Sequence, residues 1–258
     1  MEFLSANASA KHKKPILFLH GAYCDSWVWK ENFLHYFSDQ GYDCYTLDFK
    51  AEESLFTMNP TTLNTYVSQV LNAINQIGEV PIIVAHSMGA AVMQKLFKSR
   101  KLDFPAWILM TPAPARNMYE ASQDMLFKNP HLFSQMYLLQ MLGSAFVDPG
   151  LAKHALFSDD FSDEKAKSYL PHIKSMPNSL IFDVMTLNID DADLKADFPV
   201  FIQAAKHDRL LTSANIELVE KTFNTKAKYY NSGHALMLDN SWEEVADDIN
   251  EFILKNVK

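Results

Sequence analysis

The sequence predicts an α/β protein whose mostly parallel sheet is covered by helices on both faces. Two observations carry this. Short apolar runs alternate along the chain with longer runs whose apolar residues fall at helical spacing, the rhythm of repeated strand-helix-strand units. The short runs are also apolar on successive residues, as in "VPIIV" at residues 80–84, whereas a strand with one face in water would alternate.

Taken in order, "PILFLHG" (15–21) reads as a buried strand ending in a turn, and "SWVWKENFLHYFSDQG" (26–41) as a helix stopped at Gly41. "YDCYTLDF" (42–49) is a second strand, followed by the helix "TTLNTYVSQVLNAINQIG" (61–78), stopped at Gly78. "VPIIVAHS" (80–87) is the third strand and "GAAVMQKLFKSR" (89–100) the helix after it, with Val92, Met93, Leu96 and Phe97 on one face. "AWILMTP" (106–112) and "PVFIQAAKHD" (199–208) are the fourth and fifth strands. A helix around "SANIELVEKTF" (213–223), a sixth strand "AKYYNSGH" (227–234) and a closing helix "SWEEVADDINEFILKN" (241–256) complete the chain. Residues 113–195 break the rhythm: they hold no clear strand, and Pro130, Pro149, Pro171 and Pro177 divide them into short helical pieces. They read as a helical insertion leaving one strand end, where open parallel sheets bind their ligands.

Composition narrows the function. The 258 residues suit one large α/β domain, and 48% apolar content supplies a sizeable core. A formal net charge of −8 with no basic stripe argues against nucleic acid and anionic membranes as partners. No apolar run is long enough to span a bilayer. The opening "MEFLSANASAKHKK" reverses the order of a signal peptide, so a cytoplasmic protein is expected. Cys24 and Cys44 fall in no metal-binding spacing and read as free thiols. With no Walker loop, no G-x-G-x-x-G and no H-E-x-x-H, neither a cofactor nor a metal is expected. Nothing in the sequence speaks to oligomeric state.

The stretch "VAHSMGA" (84–90) puts Ser87 at a strand-to-helix corner, His86 before it and Met88 after it. A serine hydroxyl becomes a useful nucleophile when a base takes its proton and N–H donors meet the oxyanion that forms. A tight turn exposes the hydroxyl, and the helix that follows aims free N–H groups at the same point. Gly89 leaves room where a side chain would meet the strand. Ala85 stands where the pattern G-x-S-x-G has glycine, a departure of one methyl. Taken alone, the stretch is equally a helix N-terminus capped by Ser87.

Further residues fall at strand ends: His20-Gly21 after the first strand, Asp208 after the fifth and His234 after the sixth. Serine, aspartate, histidine is the chain order of the α/β-hydrolase triad. With "FLHGAYCDSWVWKENFLHYFSDQGYDCYTLDF", "VAHSMGA", "AAKHDRLLTSAN" and "NSGHALMLD" in sequence, nearly the whole chain resembles an α/β-hydrolase of the serine esterase and lysophospholipase-like type. The resemblance implies an α/β-hydrolase fold of roughly six to seven strands, since the N-terminal strands of larger relatives are shortened or missing. It implies a core of residues 1–112 and 196–258 and a helical cap at 113–195.

In that family Ser87 attacks the carbonyl carbon, His234 relays its proton and Asp208 fixes the imidazole tautomer. The backbone N–H groups of Ala22 and Met88 would form the oxyanion hole, with Tyr23 as a possible contributor. "MTPAPARN" offers no carboxylate after the fourth strand, which leaves Asp208 without a good competitor, its alternative being a helix-capping role before "RLLTSAN". His207, adjacent to Asp208, is expected to be structural, His86 to pack or bond locally, and His20 to support the oxyanion loop. Trp27 and Trp29 are expected in the core or pocket wall. Where many relatives carry a glycine-and-histidine turn, this chain has "DFKAEESLF" (48–56), a departure that bears on the shape of one pocket wall and not on the triad.

The cap segment carries Met118, Met125, Leu126, Phe127, Leu132, Phe133, Met136, Tyr137, Leu138, Leu139, Met141, Leu142 and Phe146. Such side chains either wall an acyl pocket or dock the short helices on the domain beneath. The substrate class implied is a small-molecule carboxylic ester with an apolar acyl or alcohol part. A thioesterase, lactonase, amidase, carbon–carbon bond hydrolase or hydroxynitrile lyase would share every motif, and a non-catalytic receptor would share the pocket.

Overall fold

A computed structural model describes residues 1–6, 14–51 and 60–257. Residues 52–56 of "DFKAEESLF" therefore lie outside the described residues. The six expected strands, joined by a further short one at residues 2–4, assemble into one seven-stranded sheet of order β1-β3-β2-β4-β5-β6-β7. These are β1 Glu2–Leu4, β2 Ile16–Leu19, β3 Cys44–Leu47, β4 Ile82–His86, β5 Trp107–Met110, β6 Val200–Ala205 and β7 Lys228–Tyr230. All pairs are parallel except β1, which runs antiparallel along β3. The central strands β2, β4 and β5 are buried on every residue. Their apolar runs do not alternate because helices cover both faces.

Between the strands lie α1 Trp27–Lys30, α2 Phe33–Asp39, α3 Leu63–Ile77 and α4 Met88–Ser99. The single helix expected at 26–41 is thus two. The break falls at Asn32, whose backbone leaves the helical region and whose side-chain amide donates to the Met237 carbonyl at 3.0 Å. Between β5 and β6 the chain forms α5 Met118–Lys128, α6 Pro130–Leu142, α7 Leu151–Leu156, α8 Asp163–Tyr169 and α9 Asn178–Met185, with short 3-10 turns and no strand. Pro130 opens α6 at its first turn, where its missing N–H costs nothing. The chain closes with α10 Ser213–Phe223 and α11 Trp242–Asn256.

Two apolar clusters flank the sheet. One joins β2, β4 and β5 residues such as Leu17, Ile83 and Trp107 to α3 and α4. The other packs Phe18, Ile82 and Ile108 against Phe33, Phe37 and the apolar face of α11. A third, smaller cluster around Leu132, Leu139 and Leu151 lies within the inserted helices. Among the described residues no helix is long and apolar enough to cross a membrane.

The sixth expected strand, 227–234, is short: only Lys228–Tyr230 pairs with β6. Beyond it the ladder gives way to other partners. The Ser232 carbonyl accepts from His207 N–H at 3.0 Å, and Gly233 N–H donates to Asp239 Oδ2 at 2.7 Å. These bonds turn the chain over the sheet's C-terminal edge.

Candidate active site

Ser87 lies between the last residue of β4 and the first of α4, with φ 50° and ψ −116°. A non-glycine residue in this region carries backbone strain, which persists only where its surroundings over-determine it. Here they do: Ser87 N–H donates to the Met110 carbonyl at 3.0 Å, and its own carbonyl accepts from Ala90 and Ala113. The corner is tight. A Cβ on Gly89 would come within 2.8 Å of the Leu19 carbonyl oxygen, so only glycine lets α4 start this close to β2. The methyl of Ala85, by contrast, is fully buried within β4.

His234 and Asp208 meet at the same edge. Asp208 Oδ2 lies 2.8 Å from His234 Nδ1, and both side chains are almost fully buried. Asp208 Oδ1 accepts from the N–H groups of Leu210 and Leu211, both at 2.9 Å, so the carboxylate is fixed at both oxygens. It does not cap α10, whose N-terminus is closed by Thr212 and Asn215. A carboxylate on Nδ1 favours the tautomer with hydrogen there, leaving Nε2 unprotonated in the neutral ring. His207 is exposed and bonds Asn231 instead.

The turn after β2 is set by His20. Its Nε2 accepts from Phe49 N–H at 3.0 Å, so Nδ1 carries the hydrogen and donates to the Gly21 carbonyl at 2.8 Å. Burial pushes the His20 pKa down, which keeps the ring neutral. In a trans peptide the C=O and N–H point oppositely, so pinning the Gly21 oxygen also aims the Ala22 N–H. The next residue, Tyr23, has φ 60°, and burial pushes its hydroxyl up to about 12.

Ser87, His234, Ala22, Met88 and Tyr23 line one cavity of about 380 Å³. Its walls are otherwise mostly apolar, and seven of the twelve methionines reach it: Met88, Met118, Met125, Met136, Met176, Met185 and Met237. Of the apolar side chains expected in residues 113–195, Met118, Met125, Phe133, Met136, Tyr137 and Leu139 line it. Leu132 packs inside the helical cluster with Leu138 beside it, whereas Leu126, Phe127, Met141, Leu142 and Phe146 are exposed. The two tryptophans divide: Trp27 lines the cavity, and Trp29 is core, packed on Phe18 and facing the His86 ring. Among the described residues no group of three or more His, Cys, Asp or Glu is placed to hold a metal ion.

Two supporting residues escaped sequence reasoning. Thr111, buried with φ 38°, donates from Oγ1 to the His234 carbonyl at 3.0 Å. Asp239, fully buried, accepts from Ser158 N–H and Oγ–H, Gly233 N–H and Asn240 N–H. It ties the His234 loop to the inserted helices. There Gly233 passes so close that a Cβ would sit 2.4 Å from the Phe157 carbonyl carbon. An acid closing the apolar run "ALMLD" is the one signal that could have flagged Asp239.

A family model described as "Alpha/beta hydrolase family" matches residues 16–248. No curated protein matches the chain. Among solved structures, a thermophilic esterase from Thermogutta terrifontis is similar at TM-score 0.74 and 16% identity, covering 98% of this chain and 93% of that one. An esterase from Exiguobacterium antarcticum aligns at TM-score 0.71 and 13% identity, over 98% and 94% of the two chains. A Paleococcus ferrophilus monoacylglycerol lipase aligns at 0.68 and 17% identity, over 99% of each. At these identities the structural likeness speaks to the fold. The family match extends over most of the chain, including strands β2 to β7 and residues Ser87, Asp208 and His234, and on that ground the chain belongs to the alpha/beta hydrolase family.

Proposed function

We propose that the protein is a serine hydrolase that cleaves carboxylic esters with an apolar acyl or alcohol part. The observation that carries this is the buried His234–Asp208 pair at 2.8 Å on the same apolar cavity as the strained Ser87. In this reading Ser87 Oγ attacks the ester carbonyl carbon as its proton passes to His234 Nε2. The Ala22 and Met88 N–H groups receive the oxyanion, each such donor being worth about 10²–10³ in rate. Collapse breaks the carbon–oxygen bond to the alcohol, which takes the proton from His234. Water then repeats the sequence on the acyl-enzyme and releases the acid. Asp208 holds the tautomer throughout.

Residues 113–195 act as a cap on a core of 1–112 and 196–258. They supply much of the apolar wall, and Arg209 anchors them beside Asp208 through the His154 and Phe157 carbonyls and Asp159. A panel of acyl esters, thioesters and lactones, run with the native protein and Ser87→Ala, tests the reading. Ester turnover that falls at least ~10³-fold in the variant is expected. Turnover preserved in Ser87→Ala, or a fluorophosphonate adduct on another serine, overturns it.

A further inference from the structure

The inserted helices present a second apolar surface that the cavity does not account for. Among the described residues, Phe127 is 80% exposed, Phe182 70% and Phe146 65%, with Tyr119, Met141 and Leu142 also open to solvent. They sit on α5, α6, the 3-10 turn after α6 and α9, and these elements pack in sequence: α9 on α5, α5 on α6, α6 on the turn. Large exposed side chains concentrated on neighbouring elements mark an interaction surface rather than ordinary scatter.

Helix α6 shows what medium that surface meets. Its polar side chains His131, Ser134 and Gln135 lie in the first two turns and Gln140 is bonded to Met176 and Asn178, so the exposed residues of its second half are the apolar or aromatic ones. Leu132 and Leu139 of α6 are buried, Phe133 and Met136 line the cavity, and Met141 and Leu142 face outward. From Pro130 to Val147 the chain has no Asp, Glu, Lys or Arg. Tyr137 belongs to both regions: it lines the cavity and is 61% exposed, so the outer surface and the cavity wall meet at this ring. Tyrosines, with an apolar ring and a polar tip, favour the boundary between lipid and water.

We propose that this face docks on an uncharged or zwitterionic lipid surface, which delivers an apolar ester to the cavity along a path lined by Tyr137. The charges choose this partner over an anionic membrane. Lys128 is paired with Asp124 and Arg116 with Asp191, and the chain carries a net −8, so α5, α6 and α9 hold no unpaired Lys or Arg for anionic headgroups. Continuity with the cavity chooses it over a second copy of this chain, which would cover the ring at the cavity's rim. The delivery role rests on the ester-hydrolase reading above; the docking itself does not.

The test separates the two. Ser87→Ala protein is floated with phosphatidylcholine vesicles, so that binding is read without turnover. It is expected to float, with no gain when phosphatidylserine is added. The triple variant Phe127→Ser, Phe146→Ser, Phe182→Ser should partition at least about 100-fold more weakly, since three phenylalanines no longer leave water. None of the three lines the cavity, so hydrolysis of a short soluble ester by the native-serine form of this variant should be unchanged. Failure of the Ser87→Ala protein to float, or flotation undiminished in the triple variant, overturns the proposal. So does a dimer at micromolar concentration that the triple variant converts to monomer. Flotation in a protein whose native form hydrolyses no ester would sink the ester reading and leave the docking surface standing.

Discussion

His86 donates from Nε2 to the carbonyl oxygen of His234 at 3.1 Å, so the residue preceding Ser87 grips the backbone of the proposed base. The carbonyl can only accept, which leaves His86 Nδ1 without a hydrogen; it is buried with no partner. Burial drives the His86 pKa well down and keeps the ring neutral. Thr111 Oγ1–H grips the same oxygen from β5's end at 3.0 Å. Two strand ends thus hold one peptide in place, and the His234 ring inherits that position.

Thr111→Val removes one of the two donors and keeps the side-chain shape. With His86 still bonded, folding should lose only about 1 kcal/mol. The imidazole should lose some of its aim, and kcat on a soluble ester should fall about tenfold with KM little changed. Steady-state kinetics beside a denaturant titration check both; an unchanged kcat would make Thr111 purely structural.

Two of the buried histidines, His20 and His86, also shape the pH response of folding. Burial depresses the pKa of both His20 and His86 below 6.5. Below about pH 6.5 the unfolded chain therefore binds protons that the folded chain refuses. Stability should be level above that pH and fall as pH drops from about 6.5 toward 5, by up to about 1.4 kcal/mol per pH unit for each ring. His154, only partly buried and shifted the same way, adds a smaller share. Tm measured from pH 8 to pH 5 checks this, and His86→Gln should show a shallower decline.

Which parts of this were legible in the sequence follows from which interactions are local. The central strands were readable because a strand buried on both faces must be apolar on successive residues, as "PILFL" and "PIIV" are. β1 was not: Glu2–Leu4 is a three-residue edge strand, mostly exposed, with no burial pattern to read. The break between α1 and α2 depends on an Asn32 bond to Met237, on the far side of the sequence. The inward and outward apolar residues of 113–195 could not be separated, because α6 spreads its apolar residues around the helix and the polar His131, Ser134 and Gln135 cover only its first turns. The grip of Thr111 and His86 on His234 is likewise a contact between strand ends, invisible until the sheet is assembled.

Asp208→Asn distinguishes an orienting acid from a turn-forming one. The amide oxygen can still accept from Leu210 and Leu211, so the turn should survive. Its NH2 would then face His234 Nδ1 and favour the tautomer with hydrogen on Nε2, which cannot accept from Ser87. Turnover and fluorophosphonate labelling should both fall at least ~10³-fold with Tm nearly unchanged. Near-normal labelling would remove Asp208 from the reaction.

Asp239→Ala should act on folding first. The Ser158 and Gly233 N–H groups would lose their acceptor in a buried site, at about 1–3 kcal/mol for each unsatisfied group. A combined loss of about 3 kcal/mol corresponds to a Tm drop of roughly 6–12 °C in a domain of this size. Differential scanning calorimetry reads it directly, and a Tm within a degree or two of native would mean that water replaces the carboxylate.

The cavity itself predicts a substrate profile. Each methylene moved from water to an apolar wall contributes about 0.8 kcal/mol, close to fourfold in kcat/KM, until the cavity is full. Soluble esters of increasing acyl length should therefore climb steeply and then level off. Met125 and Met136 both line the cavity, one on α5 and one on α6. Met125→Ala with Met136→Ala should move the plateau to longer chains, and Met136→Trp should bring it to shorter ones. Leu126 and Phe127 lie on α5 beside Met125 but point into solvent, so Phe127→Ser should leave the plateau where it was. If instead the α5 and α6 methionines only dock the helices, the alanine pair should lower Tm by several degrees while the length profile keeps its shape. Identical profiles across all of these variants would remove the acyl chain from this cavity.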